Sequence, residues 1–244
     1  MNCGFSLCLS SRSSLLSTLS LRRGDFMPIE ENEVYEFKMH TNFTFEELPN
    51  WIKEGEKKAT RRPISRNINA FLNSGRGGMI FLGINDDGFI IGINMSESQK
   101  EHLRVALEDV LSRYTPPVPL SLYQLTFLPV LVPDGQKAAH TTNPIQSDFK
   151  PHLVRTNRPC WCSILRLKRE DRERIPLYVA QITVKPVVKI KIVRQLYLNE
   201  EDKCFIRRSA SVHACSVSDI IRRTKEEVAE YYLKKEAISL SSTL

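Results

Sequence analysis

The stretch that decides the fold is NINAFLNSGRGGMIFLGINDDGFIIGI, residues 67–93. Its apolar helical start runs into a glycine-rich segment at 75–78, which predicts that a helix ends there. The continuous apolar run at 79–84 predicts a buried strand. The Asp-Gly pair at 87–88 is a hairpin signal, and residues 89–93 are the predicted returning strand. Two aspartates are therefore expected in the turn that follows the buried strand.

The remaining predicted elements are a mixed series of helices and strands. Apolar residues that alternate or run continuously predict strands, and apolar residues at helical spacing predict helices. This order predicts an α+β fold, in which a mixed, mostly antiparallel sheet is flanked by helices. We predict one domain over residues 27–236, with a loop or insertion at 133–160 and a flexible tail at 237–244. The predicted strands are 34–38, 120–132, 177–184, 190–198 and 203–207, and the predicted helices are 44–73 (interrupted at Pro63), 98–114 and 217–235.

The composition is that of a globular protein with a basic surplus. Of 244 residues, 41% are hydrophobic and 26% are charged, and the formal net charge is +7. No apolar run approaches the ~20 residues of a membrane span. The basic surplus permits a polyanionic partner such as RNA. The six unevenly spaced cysteines predict a reducing compartment, the cytoplasm or the nucleus, with free thiols or a metal site.

The first residues differ in composition from the rest of the chain. Residues 1–24 are rich in leucine and serine, contain arginine, and contain no acidic residue. This composition is typical of a mitochondrial transit peptide. The alternatives are a disordered leader over residues 1–26, or a start site set too early, since Met27 opens the acidic segment that follows.

Acidic side chains are crowded just before and within the first predicted strand. Four glutamates lie between residues 30 and 36, followed by Lys38. Such crowding is costly unless the carboxylates are solvated or share a cation. If this segment pairs beside the buried strand, Glu31, Glu36 and Asp86 could converge on a hard-oxygen site suited to Mg²⁺ or Mn²⁺. The alternative is an acidic strand entry and an unrelated Asp-Gly turn.

Four stretches of the chain form a recognisable combination of motifs. They are ENEVYEFK at 31–38, NAFLNSGRGGMIFLGINDDGFIIGI at 69–93, PLYVAQITV at 176–184 and CFIRRSASV at 204–212. Together they resemble the AlbA_2-type core domain of the Schlafen family, over roughly residues 30–225. The resemblance implies a single Schlafen-type lobe. Catalytic members of that family are metal-dependent endoribonucleases that cut structured RNAs such as tRNA, and some act in small-RNA processing.

The resemblance implies a catalytic site made of Glu31, Glu36 and Asp86, which would hold Mg²⁺ or Mn²⁺. Asn85 stands where the family often has the first aspartate of the turn, so the ligand is aligned with Asp86. The ion would polarise a scissile RNA phosphate and activate water. Lys38 is a candidate phosphate contact or charge stabiliser, and its alternative is a strand lysine that balances the glutamates.

Basic residues before the glycine-rich segment are candidates for RNA binding. Their positive charges would hold an RNA backbone without reading its sequence, and the alternative is a solvated helix face. Arg207 and Arg208 form a second basic pair with the same two interpretations. The candidate RNA-binding residues of the first cluster are Lys53, Lys57, Lys58, Arg61, Arg62 and Arg66.

Cysteine and histidine side chains could form a structural Zn²⁺ site. Cys160 and Cys162 are the best two candidate ligands, although their C-x-C spacing is not the usual C-x₂-C. The alternative is a set of unpaired cysteines, which are often buried. Further candidate ligands are His152, Cys204, His213 and Cys215.

Three functions follow from the resemblance and from these patterns. The first is a metal-dependent endoribonuclease, a phosphodiester hydrolase acting on tRNA-like RNA or a small-RNA precursor. The second is a non-catalytic RNA-binding or assembly subunit of the same fold. The third is an ATP-binding module at residues 75–78, which ranks last because the chain has no G-x-x-x-x-G-K-[ST]. Vertebrate members have two lobes around RNA, so a single lobe predicts a homodimer, or a heterodimer with a related chain.

Overall fold

The sheet at the centre of the fold has six strands and mixed pairing. The computed structural model describes residues 20–39, 63–133, 175–187 and 195–241. The strands run in the order β1-β5-β6-β3-β2, and β4 also pairs with β6. Two pairings are parallel (β1–β5 and β2–β3) and three are antiparallel, as predicted. The strands are β1 (Leu21–Arg22), β2 (Tyr35–Lys38), β3 (Gly78–Leu82), β4 (Ile93–Asn94), β5 (Tyr123–Leu131) and β6 (Leu177–Val184).

Three helices and a small second sheet complete the described α+β fold, which confirms the predicted class. The helices are α1 (Pro63–Ser74), α2 (Glu97–Ser112) and α3 (Val217–Ser241). The second sheet pairs β7 (Phe205–Arg208) with β8 (Ser211–Ala214). α3 continues past the predicted end at 235, into residues predicted as a flexible tail. None of the helices in the described ranges is long and apolar enough to cross a bilayer.

Hydrophobic side chains fill both faces of the central sheet. Side chains alternate between the two faces of a strand. In β3, Ile80 and Leu82 therefore pack in the core that contains α1 and α2, whereas Met79 and Phe81 pack in the opposite core beside Tyr35. All five residues of β3 are buried. The continuous apolar run is explained by this two-sided burial.

The predicted hairpin of two full strands after the glycine-rich segment is wrong. β3 is already paired with β2 on one edge and β6 on the other, so it has no free edge for residues 89–93. The returning chain makes one bridge, Ile84 to Ile90. It then passes through Gly92, whose φ is +75°, and joins β6 as β4.

Folded structure begins earlier than the predicted domain boundary. Leu21 is buried and pairs in parallel with Val130 of β5. Phe26 bridges to Phe89, and their ring centroids are 4.0 Å apart. The boundary at residue 26 is therefore too late. Residues 1–19 and, apart from Pro133, the predicted loop or insertion at 133–160 lie outside the described ranges.

Candidate functional site

The carboxylate of Glu36 is buried on the helix-facing side of β2. Tyr35 and Phe37 pack in the opposite core, so strand alternation turns Glu36 towards α1. Glu36 is only 6% exposed, and its Oε1 accepts a hydrogen bond of 3.0 Å from Nδ2 of Asn67 on α1. A buried carboxylate requires compensating partners because it has lost its water.

Arg207 of β7 is the main partner of this buried carboxylate. Its side chain is 1% exposed, and its Nη1 lies 2.6 Å from Oε2 of Glu36. Nη1 also donates to Oδ1 of Asn67 at 2.7 Å. Nε and Nη2 donate to the carbonyl of Asn32 at 2.8 and 2.6 Å, and Nη2 donates to the carbonyl of Tyr35 at 2.8 Å. Both earlier interpretations of Arg207, phosphate contact and solvated face, are therefore wrong.

Lys38 lies between the two glutamates of the candidate site. Its Nζ forms an ion pair with Oε1 of Glu36 and lies 4.0 Å from Oε1 of Glu31. Glu31 also accepts a hydrogen bond of 2.6 Å from the backbone N–H of Phe37, at the edge strand of the sheet. The two carboxylates thus share one cationic group, which offsets the cost of their crowding.

Asp86 lies in the exposed turn that follows β3. Because β2 and β3 are parallel and Lys38 pairs with Leu82, this turn follows the same end of the sheet as Lys38. Among the residues that the structure describes, no group of three or more His, Cys, Asp or Glu side chains is placed to hold a metal ion. Glu31 and Glu36 are brought together, whereas Asp86 is not assembled with them, and the metal-binding trio stays a prediction.

Asn85 fixes the conformation of that turn. Its Oδ1 accepts a hydrogen bond of 2.7 Å from the backbone N–H of Phe89, and its Nδ2 lies 3.4 Å from Oδ2 of Asp87. Its backbone carbonyl accepts from the N–H of Gly88 at 3.0 Å. An asparagine side chain is suited to such local turn bonds. The departure from the family pattern at this position therefore has a structural role.

The two glutamates supply the kind of ligand atom that a hard divalent ion prefers, but Lys38 already occupies the space between them. Carboxylate oxygens are the ligands that Mg²⁺ and Mn²⁺ prefer, and the pair already shares one cation, Lys38. Glu36 Oε2 has the charge contact with Arg207 but no well-aligned hydrogen bond. An ion held by both glutamates would compete with Lys38 for their oxygens.

The predicted RNA-binding and zinc residues lie mostly outside the described ranges. The described exceptions are Arg66, Cys204, His213 and Cys215. The guanidinium of Arg66 lies 5.3 Å from the centroid of the Phe205 ring, which is a packing contact. An RNA contact of Arg66 stays a prediction. The residues outside the described ranges are Lys53, Lys57, Lys58, Arg61, Arg62, His152, Cys160 and Cys162.

Sequence reasoning missed a pair of asparagines that connects α1 to the C-terminal strands. Asn69 and Asn73 are fully buried. Oδ1 of Asn69 accepts from the N–H of Phe205 at 2.7 Å, and Oδ1 of Asn73 accepts from the N–H of Tyr197 at 2.8 Å. Their four-residue spacing places both on one face of a helix. That spacing was the available signal for this contact.

A buried tyrosine, which follows α2 in the chain, contacts the first turn of α1. The Tyr114 hydroxyl donates to the carbonyl of Ser65 at 2.7 Å, and Oγ of Ser65 donates to Oε2 of Glu200 at 2.5 Å. Burial, reinforced by the Glu200 charge, raises the pKa of Tyr114 well above its ordinary value. The hydroxyl therefore stays protonated and serves as a structural hydrogen-bond donor.

Comparison with known families confirms the resemblance. Residues 26–143 match the model of the Schlafen-like domain of nematodes. The matched segment contains Glu31, Glu36, Lys38 and the turn with Asp86. The match supports membership of the Schlafen family.

Proposed function

We propose that this protein is a metal-dependent endoribonuclease, with Glu31, Glu36 and Asp86 as its carboxylates. One observation carries the proposal: two glutamates share a cationic group at the end of β2, and one of them is rigidly held. The buried member, Glu36, is oriented by Arg207 and by an amide of α1. A site fixed in this way loses little free energy to reorganisation during reaction.

The residues of the site differ in exposure, and their proposed roles differ accordingly. Glu36 is fixed and buried, whereas the Glu31 side chain is 28% exposed and open to an incoming ligand. When bound there, Mg²⁺ or Mn²⁺ supplies charge stabilisation at the scissile phosphate and activates water. Lys38, with 22% side-chain exposure, is able to turn from the glutamates to a phosphate oxygen.

The proposed substrate is a structured RNA, either tRNA-like or a small-RNA precursor. Family membership supports this class of substrate, and the net charge of +7 suits a polyanion. The basic cluster at residues 53–66 would contact the RNA backbone. We further propose that a second copy, or a related chain, completes the RNA-binding groove, since the described residues form one lobe around a single central sheet.

One specific observation favours a second candidate, a non-catalytic RNA-binding or assembly subunit. Glu36 is engaged by both Lys38 and Arg207, so its negative charge is already matched within the fold. Asn85 also replaces an acid in the turn with an amide that forms turn bonds. In this alternative the protein retains RNA and does not cut it.

Replacing Glu31 with glutamine separates these candidates. A glutamine Oε1 can still accept the bond from the Phe37 N–H, so the free energy of unfolding should change by less than about 0.5 kcal/mol. Cleavage of a labelled tRNA mixture in Mn²⁺ or Mg²⁺ should fall by more than about 100-fold, because a metal-ligand charge is lost. Asp86→Asn should have the same effect if the aspartate completes the site.

The matched control is Glu33→Gln, two residues away. Glu33 is exposed and pairs with Arg76, outside the candidate site, so cleavage should be unchanged. EDTA should abolish cleavage by the wild type. Equal cleavage by Glu31→Gln and the wild type would refute the site. RNA binding without cleavage by the wild type would support the non-catalytic subunit.

A further inference from the structure

Two cysteines face each other across the β7–β8 hairpin. Cys204 directly precedes β7 and Cys215 directly follows β8. The outermost ladder pair is Phe205 with Ala214, and the N–H of Cys215 donates to the carbonyl of Cys204 at 2.8 Å. The cysteines therefore form the next cross-strand pair. Cα atoms in such a pair are about 5.5 Å apart, within the range of about 4.4–6.8 Å found in disulfides.

The pair lines a cavity on the protein surface. Cys204 is buried, whereas Cys215 is half-buried, and neither is in a disulfide. The cavity volume is about 260 Å³. Its charged lining gives an excess of positive groups near the two sulfur atoms. The lining includes Arg208, Arg222 and Arg223, with Asp219 and Glu226 as the acids.

The two thiols differ in their exposure. Cys204 is buried, whereas Cys215 is half-buried and lines the cavity, so a small molecule that enters the cavity can reach the Cys215 sulfur. Arginines of the same lining, Arg208 and Arg223, supply positive charge of the kind that makes a cysteine reactive. Cys215 is therefore the nucleophile of the pair.

We propose that Cys215 and Cys204 are a peroxide-reactive thiol pair, in which Cys215 attacks and Cys204 closes a reversible disulfide between the strands. The Cys215 thiolate attacks one oxygen of hydrogen peroxide. A sulfur–oxygen bond forms, the O–O bond breaks, and the leaving hydroxide takes a proton to become water. Cys204 then gives up its proton and attacks the Cys215 sulfur. The S–S bond forms, the S–O bond breaks, and the hydroxyl leaves with that proton as water.

Oxidation would act on a buried part of the fold. Sγ of Cys204 accepts a hydrogen bond of 3.4 Å from Nδ2 of Asn73, which belongs to the asparagine pair that binds the C-terminal strands. Arg207, which holds Glu36, lies on the strand that begins after Cys204. Disulfide formation therefore changes the contacts of the same strand that supports the candidate site.

The test uses the full chain with its other four cysteines replaced by serine, so that Cys204 and Cys215 alone remain. After treatment with hydrogen peroxide, peptide mass mapping without reductant should show one disulfide between them, and dithiothreitol should reverse it. Before oxidation, iodoacetamide should modify Cys215 at least about tenfold faster than Cys204. The four replacements are Cys3→Ser, Cys8→Ser, Cys160→Ser and Cys162→Ser.

Two single variants assign the roles, and the wild-type chain controls for folding. Cys204→Ser should leave a sulfenic acid on Cys215 that dimedone traps, and Cys215→Ser should give no dimedone adduct on Cys204. The same disulfide should appear in the wild-type chain mapped in parallel. The proposal is overturned if both thiols stay free at peroxide concentrations that oxidise glutathione, or if dimedone modifies Cys204 in preference to Cys215.

Discussion

Replacing Arg207 with methionine should lower the free energy of unfolding by about 3–5 kcal/mol. The guanidinium is buried against Glu36, and it satisfies the carbonyls of Asn32 and Tyr35. Methionine fills much of the same volume but leaves a buried carboxylate short of a counter-charge and two carbonyls short of donors. Urea denaturation should show a lower midpoint with an unchanged slope.

Arg208→Met is the matched control for this prediction. Arg208 is the next residue and is exposed, so its replacement should change the free energy of unfolding by less than about 0.5 kcal/mol. Adding Glu36→Gln to Arg207→Met should recover part of the loss, because it removes the buried charge that has lost its Arg207 partner. A loss below about 1 kcal/mol for Arg207→Met would contradict the importance of this ion pair.

Replacing Gly77 with alanine should cost about 3 kcal/mol or more of folding free energy. Gly77 has a φ of +71°, and an added Cβ would lie 2.3 Å from the carbonyl oxygen of Val184 and 2.8 Å from the carbonyl carbon of Lys185. Both contacts are with backbone atoms, which cannot rotate away as a side chain can. Thermal and urea unfolding should both report the loss, because the β3–β6 pairing must open to admit the methyl group.

Gly24→Ala isolates the backbone part of this effect. Gly24 has a φ of +89° and no atom within 4 Å of an added Cβ, so its replacement should cost only about 1–2 kcal/mol. The difference between the two variants measures the close approach at Gly77. Equal losses would contradict the predicted clash. The close packing also explains the glycine-rich segment without a bound nucleotide.

Local sequence pattern predicted the elements whose burial is regular. The apolar run at 79–84 gave β3, and the run at 177–184 matches β6 to the residue. The apolar spacing at 98–114 gave α2 within two residues at each end. In these elements one periodicity decides both the backbone conformation and the buried face, so a short window of sequence is sufficient.

The contacts that hold the candidate site could not be predicted from local sequence patterns. Glu36 and Arg207 lie on strands far apart in the chain, and no spacing rule connects them. Asparagine is a polar residue that is usually exposed, yet Asn69 and Asn73 are both buried. Backbone N–H groups of a distant segment form hydrogen bonds with their side chains. The hairpin prediction was wrong because of another long-range contact: β6 pairs with the edge of β3 that the returning strand was expected to occupy.

The position of β6 in the chain determines when the molecule can fold. β6 pairs with β3, β4 and β5, all of which are synthesised before it. Until residue 184 has left the ribosome, those three strands have unpaired edges, which are prone to aggregation. The family match ends at residue 143, before β6. The segment by which the family is recognised is therefore shorter than the segment that must be complete before the sheet can close.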